Sequence, residues 1–452
     1  MTGIPLIIAF VVAVVLMIIA ISKWKVHPFL SIMGVSVLLA LVAGIPLTDV
    51  PGVIGAGFSG TFSSIGIVII LGALIGSILE QTGAALKLAD MVVKLVGKKN
   101  PELALELMGW VVSIPVFCDS GFVILDPIRK ALVKRTGSSS VAATVALSAG
   151  LYISHVFIPP TPGPIAAANT LGIGDNLLLV IGLGVLCSIF PLIAGLVYAK
   201  FIGKKVKSKD ELVEAGEVVK TYEELVAGYG KLPGGFNALA PIIVPVILMA
   251  LGTIGKQLGV TGFALNLLTF LGTPIISLAV GTIFAIAQLA IAKKMGEFYK
   301  ITNDTLKTVG PILFVTAAGG VLGKVISSTT MVAYITENAN FLMNLGIFFP
   351  FLLAAILKTA QGSSTVAITT TAGIMAPMMV SLGLGTPVMG ALTVMAIGAG
   401  AMTVSHANDS YFWVVTNFGE MTPDQGYKTQ TILTLVMGIA SIIGIFLVSL
   451  FF

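Results

Sequence analysis

Charge is what this sequence has least of. Asp, Glu, Lys and Arg make up only 10% of its 452 residues, while 56% are hydrophobic and the mean hydropathy is +1.05; an ordinary soluble domain carries about a quarter of its residues as charges. That shortage excludes a water-soluble fold. Cysteine is nearly absent too: Cys118 and Cys187 both sit in apolar stretches, so neither a disulfide framework nor a paired-cysteine metal site is supported, and no cofactor or metal is expected. The net charge of +5 is small for this length. In a membrane chain it reports loops that face the cytoplasm rather than nucleic-acid binding. The first apolar run has no basic residue ahead of it, and Lys23 and Lys25 follow it. The secretory-signal pattern is therefore missing, and the run reads as a retained span.

Long apolar runs are abundant instead. Residues 4–21, 29–43, 177–199 and 432–452 each approach or exceed the roughly 18 to 20 residues that cross a hydrocarbon core as a helix. The expected fold class is an all-α polytopic membrane protein. One polar stretch of any length, residues 203–235, carries six lysines against six acidic residues and ends in Leu-Pro-Gly-Gly, and it reads as a cytoplasmic linker over 204–236.

The two halves flanking it repeat one another. A shift of 247 places Gly72, Gly76 and Thr82 on Gly319, Gly323 and Thr329, and a shift of 244 places Thr61 and Gly66 on Thr305 and Gly310. A shift of 251 places Ser154-His155 on Ser405-His406, each preceded by Ala-Gly at 149–150 and 399–400, in a chain with only three histidines. Lys98, Lys99, Arg129, Lys130, Lys134, Arg135 and the cluster at 200–209 mark one side in the first half, while the equivalent stretches near 340–345 and 372–384 have no Lys or Arg. Conversely Lys293, Lys294, Lys300 and Lys307 match a first-half region, 50–66, with none. Because cytoplasmic loops collect Lys and Arg, the halves are read as an inverted repeat. The path then runs from an outside amino terminus to Lys23 and Lys25 inside, 51–63 outside and Lys98 inside. Between Pro101 and Arg135 two short apolar segments have cytoplasmic charges at both ends, which predicts a re-entrant hairpin with its tip near Phe117 to Gly121. Irregular backbone at that depth requires burial in protein or an aqueous cavity. The equivalent hairpin, near 345–381, has its predicted tip at Gln361 to Thr365. The layout is about ten spans plus two hairpins: scaffold helices in 1–56 and 237–299, and transport repeats in 57–203 and 300–452.

Four polar constellations interrupt this apolar chain at repeat-equivalent places: the tip around Asp119, Ser154-His155 followed by the proline-rich 159–164, the tip Gly362 to Thr365, and residues 405–410. Proline at that density cannot continue a helix, so the span is predicted to break, with its second piece starting near Pro164 and offering freed amides to an anion. Together these groups suit a carboxylate that bears several hydroxyls. Each also has a plainer reading. Ser and Thr in membrane helices often bond only to local backbone, and an intramembrane His can be a satisfied packing residue. Asp119 and Asp409 are stronger candidates, because ionisable groups within a membrane are expensive. Asp126 is expected to pair with Arg129 or Lys130 on a solvated face, and His27 to be interfacial.

At these residues the chain resembles the gluconate permease family of bacterial proton symporters over essentially its whole length. The likeness rests on the 117–122 tip with its acidic residue before Gly-Phe, Ser154-His155 through Pro164, Gly362-Ser363-Ser364-Thr365-Val366, and Ser405-His406-Ala407-Asn408-Asp409 leading to Phe412-Trp413. Gluconate permeases of that family tend to have Tyr-Glu-Val-Gly where this chain has Cys118-Asp119-Ser120-Gly121, and His where it has Thr161; these departures bear on the substrate's identity, not its class. The resemblance implies proton-driven uptake of an aldonate or shorter hydroxy acid across the bacterial inner membrane. It also implies a homodimer of the ion-transporter superfamily with an elevator-like motion. The residues expected to bind substrate are Asp119, Ser120, Gly121, Ser154, His155, Thr161, Gly163, Gly362, Ser363, Ser364, Thr365, His406 and Asn408, and those expected to couple protons are Asp119, His155, His406 and Asp409. A sodium-coupled carrier is the rival, with Asn408, Asp409, Ser410 and hairpin carbonyls as an oxygen cage. A channel lacks a continuous polar pathway, and a Ser405-His406-Asp409 enzyme is disfavoured because adjacent helical residues diverge.

Overall fold

The computed structural model describes residues 3–96, 100–212, 232–257, 261–331, 334, 345–406 and 409–452. No strand occurs among them. The first half contains α1 (Ile4–Ser22), α2 (Pro28–Ala43), α3 (Val50–Gln81), α4 (Ala84–Val96), α5 (Pro101–Val112), α6 (Cys118–Thr136), α7 (Ser140–Phe157), α8 (Pro162–Thr170) and α9 (Leu177–Ile202). The second contains α10 (Gly235–Gln257), α11 (Gly262–Gly272), α12 (Pro274–Ile291), α13 (Phe298–Ser327), α14 (Phe348–Gln361), α15 (Ser364–Met375), α16 (Pro387–Met402), α17 (Ser410–Phe418) and α18 (Ile432–Ser449). Among the described residues seven helical segments are long and apolar enough to cross a membrane. Outward-facing side chains such as Ile8 and Val12 on α1, Ile193 and Val197 on α9, and Phe263 on α11 are exposed. Water would not tolerate that surface, and a bilayer covers it.

Local chemistry sets the interruptions that matter. α7 stops at Phe157 because Pro159 and Pro160 follow, and Ile158 takes the extended conformation (φ −113°, ψ 115°) imposed on a residue before proline. α8 restarts at Pro162, two residues ahead of the expected Pro164, since proline's fixed φ suits a first helical position. α14 ends on Gly362 in the left-handed region (φ 93°), a conformation that favours glycine. α15 begins at once, with the Ser363 hydroxyl accepting from the Val366 amide. α16 ends at Met402, and α17 starts behind Asp409, whose carboxylate accepts from the Tyr411 amide. The turn between α5 and α6 falls at residues 113–117, earlier than the expected 117–121. α6 already begins at Cys118, with Phe117 extended before it, so Asp119 stands in a first helical turn rather than in a loop. The predicted linker at 204–236 lies largely outside the described residues. Its beginning docks back: the Glu211 carboxylate accepts from the Ser139 hydroxyl (2.9 Å) and the Val141 amide (3.0 Å) at the start of α7, where an anion is favoured.

The packing comes in matched pairs. α5 lies on α7 as α14 lies on α16, α7 on α9 as α16 on α18, α6 on α7 as α15 on α16, and α17 on α6 as α8 on α15. Every residue of α7 is buried, as are residues 390–402 of α16, and these two helices also touch each other. Glycines allow the closest approaches: a Cβ on Gly150 would lie 1.8 Å from the Glu106 carbonyl oxygen, and one on Gly400 would lie 2.2 Å from that of Phe351. α3 packs against α13, and α13 meets α15 through a seam of small residues. There a Cβ on Gly323 would come within 2.6 Å of the Gly373 carbonyl and one on Gly373 within 2.4 Å of that of Gly319.

Gly150→Ala therefore forces α5 and α7 apart and is expected to destabilise the protein by about 3 kcal/mol, the upper range for overpacking a well-filled contact. Gly182→Ala, where an added methyl meets nothing within 4 Å, is expected to leave thermal unfolding of the detergent-purified protein unchanged. Equal melting of the two variants would contradict the contact.

Candidate functional site

Four interruptions converge on one cavity of about 340 Å³. The start of α6 contributes Phe117 and Asp119, the end of α7 Tyr152 and His155, the α14–α15 tip Ser363 to Thr365, and the start of α17 Asp409 to Tyr411. The opposite wall is α13, through Thr308, Pro311, Ile312 and Val315, with His27 and Pro28 at the beginning of α2 completing it. A neighbouring cavity of about 230 Å³, lined by Ser77, Glu80, Lys300 and Asp304 among others, shares Phe117 and Thr308 with the first.

A buried ion pair organises the polar side. The Lys358 ammonium, 0% exposed in the last turn of α14, lies 2.6 Å from Oδ2 of Asp409. It also donates to the Gly362 carbonyl. The same Asp409 oxygen accepts from the Ser405 hydroxyl at 2.6 Å and the Tyr152 hydroxyl at 3.4 Å, and the other oxygen accepts from the Tyr411 amide at 3.1 Å. One carboxylate therefore ties together α7, α14 and both sides of the α16–α17 break. Neither charge survives alone at this depth: removing one partner of such a pair costs about 3–5 kcal/mol, because the other is left uncompensated.

Asp119 is held differently. Its Oδ1 accepts from the Ser410 hydroxyl at 3.2 Å and its Oδ2 from the Cys118 thiol at 3.7 Å; among the described residues no cation lies within ion-pair distance of it. The His155 ring stands with its centroid 6.0 Å from that of Phe117 and 6.5 Å from that of Tyr152. Its Nδ1 is buried without a hydrogen-bond partner.

Of the residues singled out from sequence, Asp119, His155, Ser363, Ser364, Thr365 and Asp409 line the cavity. Others are occupied elsewhere. Gly121 packs under Leu151 and Gly163 under Ile368, the Thr161 hydroxyl donates to the Ile158 carbonyl at 2.7 Å, Ser154 is fully buried, and His406 Nε2 lies 3.0 Å from the Thr359 carbonyl. Gly362 contributes its carbonyl to Lys358 rather than a surface to the cavity. The start of α8 does not line the cavity, because that helix packs on α15 and α3. Asn408 and the side chain of Ser120 lie outside the described residues. His27, read as merely interfacial, stands at the cavity wall. The expected solvated face at Asp126 and Arg129 is instead interior: Arg129 is 0% exposed, with its Nε 2.6 Å from Asp126, its Nη1 2.6 Å from the Ser140 hydroxyl and its Nη2 3.3 Å from the Phe418 carbonyl. Lys130 reaches Glu420 at 2.9 Å beside it. Lys358 and Tyr152 escaped the sequence reading. The signal was available, since Lys358 is the single charge in α14 and Tyr152 lies one turn before His155 on the same helix face.

The comparisons with known proteins agree with one another. The GntP family permease signature matches residues 4–451. An uncharacterized permease of Haemophilus influenzae is 34% identical over 426 residues, covering 92% of this chain and 86% of that protein. A low-affinity gluconate transporter of Escherichia coli is 30% identical over 451 residues, covering 98% of each. Among solved structures, MtrF of Neisseria gonorrhoeae, described as one of a class of antimetabolite efflux pumps, superposes with a TM-score of 0.64 at 15% identity, covering 95% of this chain and 96% of that one; at that identity the likeness is one of fold alone.

With Cys118 and Cys187 replaced by serine, Ser363→Cys is expected to react readily with a water-soluble maleimide in the folded protein, since Ser363 is exposed at the cavity. Ser154→Cys, at a fully buried position, is expected to stay unlabelled until the protein is denatured. Mass spectrometry of the two adducts checks this, and equal labelling would contradict the cavity's boundary.

Proposed function

The chain belongs to the GntP family of permeases, and on that premise we propose that it takes up gluconate or a related sugar or hydroxy acid across the bacterial inner membrane, driven by protons. It is a multi-pass membrane transporter rather than an enzyme. The observation that carries the substrate reading is that the first turn of α15 and the Asp119 carboxyl share one cavity. Its volume, about 340 Å³, falls at the small end of the roughly 300–1,000 Å³ typical of small-molecule sites. The substrate carboxylate docks at the hydroxyls of Ser363 to Thr365 at the start of α15, where the helix dipole favours an anion. Its hydroxyl groups donate to Asp119 and to the open Nδ1 of His155, with Tyr152 alongside; Ser120 and Asn408 belong to the same reading.

Charge balance supports proton coupling. Lys358 and Asp409 cancel, which leaves Asp119 as the uncompensated charge at the cavity. An anionic substrate beside an ionised Asp119 would place two like charges in a poorly solvated space, and a proton on Asp119 or His155 relieves this. The matched helix pairs and the drifting sequence offset support two inverted repeats, each with a re-entrant hairpin, α5–α6 and α14–α15, working by an elevator-like motion in a homodimer. Lys23 and Lys25 adjoin His27 at the cavity wall, which supports a mouth on the cytoplasmic side.

The test is uptake of labelled gluconate, glycerate, threonate and D-serine by proteoliposomes under an imposed pH gradient. Accumulation of a sugar or hydroxy acid that collapses with the gradient is expected. Thr365→Val is expected to raise KM about tenfold, the effect of losing a hydrogen bond to a charged group worth about 1.5 kcal/mol. Asp119→Asn is expected to abolish proton-driven accumulation while leaving counterflow exchange measurable. Undiminished accumulation by Asp119→Asn would remove that residue from coupling, and uptake indifferent to the gradient would sink the proton mechanism.

A further inference from the structure

The oxygens that a coupling metal ion would need at the hairpin tip are already engaged. The Asp409 carboxylate and the Gly362 carbonyl converge on a single point, and that point holds the Lys358 ammonium, while the Ser405 hydroxyl donates to the same carboxylate oxygen. A carboxylate and a backbone carbonyl at an irregular turn are oxygen ligands of the kind that a hard monovalent or divalent cation takes. An ammonium satisfies the same set by hydrogen bonds, and the two cannot share the place.

We propose that Lys358 is a tethered counter-cation, standing where a transported sodium ion would otherwise bind, so that this carrier works without sodium. The proposal rests on the transport reading above and goes beyond it by assigning a role to a residue outside the substrate shell. Lys358 lies on α14, one turn before the tip whose carbonyl it binds, so the cation arrives with the helix and is present in every state of the cycle. A permanent cation cannot respond to an ion gradient. Its work is positional: it neutralises Asp409 next to the anion site, and it holds the Gly362 carbonyl at the tip.

The experiment has two arms. In proteoliposomes, wild-type uptake is expected to be the same in sodium chloride and in choline chloride. Lys358→Ala is expected to lose at least tenfold in choline and to recover in part when sodium or methylammonium is supplied. In the second arm, which needs no substrate, the Tm of purified Lys358→Ala is expected to rise with sodium or methylammonium relative to choline, and that of wild type to stay level. A wild-type requirement for sodium, or a wild-type Tm that rises in sodium alone, overturns the proposal. So does a Lys358→Ala protein whose uptake and Tm match wild type in every salt. If Lys358→Ala does not fold, the paired variant Lys358→Met with Asp409→Asn removes both charges together and is expected to fold; a sodium-specific Tm rise in it would place the cation elsewhere and overturn the proposal, and a level Tm beside sodium-independent wild-type uptake supports it. Failure of wild type to carry any of the acids would sink the functional reading, while the Tm arm still decides the role of Lys358.

Discussion

In hydrocarbon a backbone amide or carbonyl without a partner costs several kcal/mol, so helices can be broken at membrane depth only where protein or water satisfies the ends. That constraint accounts for most of this molecule. The breaks at 158–161, 362–363 and 403–406 adjoin α7, α15 and α16, whose residues are buried almost without exception. The loose ends are met by side chains: Ser363 and Asp409 receive amides, Thr161 and Lys358 reach carbonyls. Helices whose outer faces meet lipid, α1, α9 and α11 among them, carry no such interruptions and form the envelope.

The same constraint turns polar residues into a functional cluster. A carboxylate at this depth must be paired or hydrogen-bonded, and Asp409 is both. Its bonds reach α7, α14, the α16–α17 break and the first turn of α17, so the elements that meet at the cavity are tied to one another through a single group. Arg129 does the equivalent at the far end of α6, binding Asp126 on its own helix, Ser140 at the start of α7 and the Phe418 carbonyl at the end of α17. α7 and α17 are thereby each held near both ends by a charged side chain, and α7 is also held along its length by the close contact at Gly150.

Much of this was legible in the residues. Proline spacing at 159–164 announced a break, Gly362 before Ser-Ser-Thr announced a turn followed by a helix start, and Asp119 and Asp409 stood out because charge is scarce. What the sequence withheld were the relations that only tertiary packing sets. The start of α8 was expected to offer freed amides to an anion, but Pro162 and Pro164 carry no N–H there, and the helix packs against α15 and α3 instead of meeting the cavity. Lys358 was hidden by the rule that lysines mark cytoplasmic loops, since a lysine paired with a carboxylate 51 positions away looks locally like a loop charge. Arg129 does pair with Asp126 as expected, but it was placed on a solvated face because its other partners come from α7 and α17, and nothing adjacent to it in sequence reveals them.

The seam between α13 and α15 meets through glycines. Gly319, Gly323 and Gly373 bring main chain against main chain there, so the two surfaces meet as smooth cylinders instead of as knobs in holes. Packed side chains resist displacement because every rotamer must be undone at once; glycine offers none to undo. A step of one residue, about 1.5 Å along a helix, keeps such a contact close throughout, much as a drawer moves on its runners. The wall of α13 that faces the polar cluster is thus joined to α15 by a smooth contact, the kind of surface over which shear motions run.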